Sequence, residues 1–241
     1  MDLAKLCLQT FVARAHRDHP QAREQYKSTK VGSRALLWFL DHAFETVDIA
    51  VDTVWPGLLA HCLVAQDDTY KILHHWLTVN HTPKYAALMH AKEQNRWRNR
   101  IFQLAIESIV YWANDVSAGL NDSLKFFRWI IETSVKTNPI PFFGAGMTLD
   151  SYISNFDTSK VDVSELEKFM WRMDLWAPPG TLRHSWATAR LMLKHPSGPQ
   201  PEAALSLFLH LDANRADFFQ TMDGPFNVSI KSAMVRTAQA L

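Results

Sequence analysis

A chain of 241 residues can bury a substantial core, as one large domain or as two modest lobes. Its 47% apolar and 20% charged residues exclude a disordered tail and describe an ordinary folded protein. A net charge of +1 weighs against a protein that grips a polyanion by bulk charge, so any such binding must come from local clusters of cations.

The first nineteen residues, MDLAKLCLQTFVARAHRDH, lack a basic segment followed by an apolar core and a small-residue cleavage site, so they do not read as a secretory signal. Leu3, Leu6, Leu8, Phe11 and Val12 predict a first helix over residues 3–15. Arg14, Arg17, Arg23, Lys27 and Lys30 follow in a polar stretch with little to offer a core. That stretch is expected to be a mobile basic arm, with the first helix docking away from its own body. Residues 33–54 predict a long helix. Leu36, Leu40, Phe44, Val47, Val51 and Val54 form its apolar stripe, and Asp41, Glu45, Asp48 and Asp52 lie opposite. Four carboxylates on the solvent side, with His42 before Glu45 rather than after a Glu-x-x spacing, do not make a di-metal site. Trp55-Pro56-Gly57 is expected to end this helix, because proline disfavours helical geometry in the residue before it.

Shorter helices are expected over 66–79 and 84–91, the latter opened by Thr82-Pro83. Asp67-Asp68 and Asn114-Asp115 can be set beside the paired acidic motifs of class I terpene synthases. Ala118 and Asp122 stand where the second motif needs a hydroxyl and a glutamate, so Asp67-Asp68 reads better as a helix cap. Cys7 and Cys62 are too few for a disulfide framework or a four-thiolate zinc site and read as buried thiols in a reducing compartment. The eleven histidines include no His-x-x-x-His pair.

The segment from His90 to Arg100, HAKEQNRWRNR, departs most from the average. Lys92, Arg96, Arg98 and Arg100 face the single anion Glu93, with Trp97 among them. Guanidinium groups interleaved with an aromatic ring suit a phosphate backbone and a stacked base. A solvated helix start is the plainer account. A long helix follows over 96–116, punctuated by Gly119 and Asn121-Asp122-Ser123, and the helical pattern resumes over 124–135 with Lys125 and Arg128. The stretch KTNPIPFFGAGMT, with two prolines and then two glycines, reads as a linker whose Phe142-Phe143 pair packs on something. Asp162-Val163-Ser164-Glu165 starts a helix through Trp171 to about residue 175, and Pro178-Pro179-Gly180-Thr181 starts another to Lys194 that carries Arg183, His184, Trp186 and Arg190. Helices over 202–211 and 227–241 close the chain, with Asp223-Gly224-Pro225 between them.

These readings predict an all-α, two-lobed protein, with lobes at 1–136 and 149–241, a linker at 137–148, and terminal helices acting as arms. No apolar run is long enough for a membrane span. No nucleophile elbow, P-loop or dinucleotide fingerprint occurs, so no catalytic residue, cofactor or metal is expected, and the balance leans away from an enzyme. The expected function is binding of single-stranded nucleic acid, RNA foremost, by a self-associating protein of nucleocapsid or coat type. Its expected place is the cytoplasm, or a virion. The expected contacts are Lys92, Arg96, Trp97, Arg98, Arg100, Lys125, Arg128, Arg183, Arg190 and Lys194, lining a cleft if the lobes face each other. Avidity among subunits would offset the low net charge. The alternative is a helical adaptor using Phe142-Phe143 and tryptophan-rich surfaces. Less favoured is a small helical enzyme or ligand-binding bundle built on Asp67, Asp68, His74 and Asp115.

Overall fold

The computed structural model describes residues 9, 19–42, 54–66, 73, 74, 77, 91–134 and 140–213. The expected helices at 84–91 and 227–241, nearly all of that at 3–15, most of the acidic stripe, Cys7 and Asp67-Asp68 lie outside the described residues. What is described is all helical, with no strand. The α-helices are α1 (His19–Thr29), α2 (Val31–His42), α3 (Val54–Val64), α4 (Ala91–Trp112), α5 (Val116–Thr133), α6 (Phe143–Asn155), α7 (Val163–Trp171), α8 (Leu182–Leu193) and α9 (Glu202–Ala213). A 3-10 turn, Met173–Leu175, follows α7. The chain divides into two compact units, Met1–Thr148 and Leu149–Leu241.

Unit 1 is organised by α4. Its apolar stripe, Trp97, Ile101, Phe102, Leu104, Ala105, Ile109 and Trp112, is buried and packs against α3 and α5. Phe102 stacks on Phe127 at 5.6 Å and meets Phe126 and Phe142 edge-on. The helices α4 and α5 approach closely at Gly119, where a Cβ would fall 2.8 Å from the Val110 Cα. Gly32 of α2 likewise lies where a Cβ would meet the Cys62 backbone of α3 at 2.8 Å. Cys62 is a free, buried thiol beside Tyr26, and burial pushes it up to about 12.

Several local expectations change here. Residues 19–29 form a helix instead of a mobile arm. Tyr26 is fully buried against Trp112, ring centroids 5.3 Å apart, and Arg23 Nη1 donates to the Trp112 carbonyl at 3.3 Å. One buried aromatic supplies the anchor that the polar composition hid. Trp55-Pro56-Gly57 lies in the first turn of α3, where proline's missing N–H costs nothing. Gly119 and Asn121-Asp122-Ser123 lie inside α5, whose true start is the Asp115 cap, its side chain accepting from Ala118 N at 2.9 Å. Phe143 to Thr148, read as linker, is the first part of α6. Phe142 is buried, whereas Phe143 is exposed.

In unit 2 two helices start within the segments the sequence marks, and each start is capped by a side chain. Asp162 accepts from Glu165 N at 3.2 Å, and Thr181 accepts from His184 N at 3.2 Å. The helices α8 and α9 pair through Trp186, Ala189, Leu193, Ala204 and Leu207, with Phe208 and Leu211 packed alongside. Phe169 stacks on Trp176 at 5.3 Å and 12°. Two features face outward. Trp171 at the end of α7 is 82% exposed, and Leu205 and Leu209 on α9 are 43% and 64% exposed.

Candidate nucleic-acid interface

The helical phase of α4 sorts the cationic segment into two faces. Trp97 and Arg98 precede Ile101 and Phe102 by one turn, and all four are buried. Arg98 is fully buried, and its Nε donates to the Leu77 carbonyl at 2.9 Å. Burial lowers its pKa to about 10, so it remains charged at neutral pH while serving the interior. Trp97 likewise offers no open ring face to a base. Neither side chain fits the surface role expected of it, because both turn with the apolar stripe.

Arg96 is exposed and Arg100 half-buried, one turn apart on the outward stripe that continues through Gln103 and Glu107. Gln103 Nε2 donates to Glu107 Oε1 at 2.8 Å, which engages that carboxylate at the far end of the stripe. Among the described residues, no carboxylate pairs with Arg96 or Arg100. Lys92 stands one turn before Arg96 in the same helix. Between the two faces, Asn99 Oδ1 accepts from Gly144 N at 2.6 Å and so holds the start of α6. Asn99 is a positioning residue that sequence reading missed, because its partner lies 45 residues away.

The remaining cations are engaged locally. On α5, Lys125 lies 3.9 Å from Asp122 and Arg128 lies 3.0 Å from Glu132, so that helix's exposed face alternates in sign. In unit 2, Arg190 pairs through Nη2 with the buried carboxylate of Asp150 and lies over Trp186, 5.7 Å from the ring centroid. Arg183 is exposed at the first turn of α8, whereas the Arg190 side chain is largely covered, so a shared helix face does not give them shared access. Lys194 Nζ donates to the Phe156 carbonyl at 3.1 Å. Burial raises the Asp150 carboxyl to about 6 despite the opposing pull of Arg190. No sequence motif could have revealed this pair, since 40 residues separate its members.

Of the other candidates, Asp67 and Asp68 lie outside the described residues, and the two that are described have structural contacts. Asp115 is the α5 cap, and His74 meets Trp129 edge-on at 5.2 Å. No cluster of three or more metal-ligating side chains occurs among the described residues. Nor is any described helix long and apolar enough to cross a membrane. Comparison with known protein families, curated proteins and solved structures finds no match for this chain.

Proposed function

We propose that the protein binds single-stranded nucleic acid through the outward stripe of α4 and self-associates through a chain-terminal segment, in the manner of a nucleocapsid or coat protein. The observation that supports this reading is the pair Arg96 and Arg100, one turn apart on a solvent face and unpaired by carboxylates among the described residues. Two guanidinium groups at that spacing suit adjacent phosphates, and Lys92 extends the row. With Trp97 inside, the contact is to backbone rather than to stacked bases, so binding is independent of sequence. A few cations per subunit suffice when neighbours bind the same strand.

The test is a salt titration of single-stranded RNA binding. Arg96→Ala with Arg100→Ala should weaken affinity and reduce the salt slope by about 1.4, since each phosphate contact on a single strand contributes about 0.7. Lys125→Ala, on the charge-balanced α5 face, should change the slope far less. Unchanged affinity and slope in the double variant would reject the reading.

A second reading, a protein-binding adaptor, draws on Trp171 and Phe143, both exposed. Exposed tryptophan is a residue type that dominates interface energetics. Binding of a partner that is insensitive to salt and lost in Trp171→Ala would favour it.

A further inference from the structure

Lys30 holds a backbone geometry that a lysine side chain does not favour. Its φ of +48° lies in the left-handed region, and among the described residues it is the one non-glycine there. This single residue joins two helices, since α1 ends at Thr29 and α2 begins at Val31. Lys30 N donates to the Tyr26 carbonyl at 3.0 Å, and the Lys30 carbonyl accepts from Arg34 N at 3.0 Å. The same residue thus closes α1 and opens α2, at a position where helices usually place glycine. The two helices are held to the rest of unit 1 unequally. On α2, Leu36 is buried, Ser33 Oγ donates to Gln66 Oε1 at 2.8 Å, and Gly32 lies against the α3 backbone. Among the described side chains of α1, Tyr26 alone is buried, against His61 of α3 and Trp112 of α4.

We propose that α1 is exchanged between two copies of this chain by opening at Lys30, so that each Tyr26 packs against the other copy's His61 and Trp112. A short connection under strain invites such an exchange. With Lys30 in right-handed geometry, α1 and α2 run on as one helix about 36 Å long. The Gly32 and Leu36 contacts keep α2 on its own body, and α1 is carried away from its own Trp112. The contact itself selects a second copy as the occupant. Tyr26 meets the same side chains there as at home, so no new interface of standard size is required. Opposing the exchange is the effective concentration of the tethered helix, on the order of millimolar, so the pair forms in concentrated protein. The exchange closes after two chains and needs no RNA. It is a separate event from assembly along a strand and does not rest on that reading.

The test is light scattering of the full chain without RNA, after annealing at about 1 mM, near that effective concentration. The wild type should yield a dimer that dissociates on dilution. Lys30→Gly relieves the strain of the closed form and weakens the continuous helix, about ten-fold in favour of closure at each hinge. Two hinges open per dimer, so its dissociation constant should rise about a hundred-fold. Lys30→Ile, whose β-branched side chain tolerates positive φ least, should lower it. In a dimer made from isotope-labelled and unlabelled chains, nuclear Overhauser contacts between Tyr26 and Trp112 should appear between chains. A wild type that stays monomeric, a dimer unmoved by Lys30→Gly, or Tyr26–Trp112 contacts confined to one chain would overturn the proposal.

Discussion

Arg98 carries a charge into the interior of unit 1 and is held there by the Leu77 carbonyl. Arg98→Ala removes that bond and opens a cavity beside Phe102, so it should lower unfolding free energy by about 3 kcal/mol in urea titration. Asp150 poses the converse problem, a buried carboxylate facing one guanidinium. Arg190→Ala leaves it uncompensated and should cost about 3–5 kcal/mol at neutral pH. The pH dependence has a definite sign. Burial lifts Asp150 from 3.8 to about 6, so the folded chain holds the proton more tightly than the unfolded one. Its contribution to stability is therefore greatest below about pH 4 and is lost as pH rises through about 6. Denaturation midpoints of the wild type and Asp150→Asn should diverge over that window, the wild type losing ground as pH rises. The inward turn of Trp97 and Arg98 was legible in principle. Both sit four residues before strongly apolar positions, and helical phase outranks charge in deciding which side chains enter a core. The Asp150 pairing was not legible, since nothing local marks it.

At the level of elements, closed approaches and remote caps carry the fold. Asn99→Ala removes the side chain that holds the start of α6, and should cost about 1 kcal/mol, as loss of a helix-capping oxygen does. Gly119→Leu places a branched side chain where a Cβ alone meets the Val110 backbone. Forcing α4 and α5 apart should lower stability by at least about 1–3 kcal/mol in the same titration. The helix starts within residues 162–165 and 178–181 were readable because the residues that mark them lie next to the helices they start. Trp55-Pro56-Gly57 was ambiguous because proline both ends one helix and suits the first turn of another. The helix α1 was missed because its anchor is one tyrosine in a polar run, a signal too sparse for periodicity.

For the molecule as a whole, the all-helical class was plain from long runs at 3.6-residue spacing, and the described residues bear it out. Assembly belongs to this scale. Light scattering of the full chain should show a mass that rises with added RNA, and removing residues 1–18 should abolish the rise while leaving α1 and its buried Tyr26 in place. A chain that stays monomeric with RNA would count against the coat reading. The exposure of Trp171 also gives the protein an optical handle. Among the described residues, Trp97, Trp112, Trp176 and Trp186 are shielded in the two cores and Trp38 and Trp129 are half-buried, which leaves Trp171 the most open of the described tryptophans to iodide. Replacing Trp171 with Phe should lower the quenchable fraction measurably. Any partner that covers the end of α7 would then announce itself as a blue shift, in a tube, without a label.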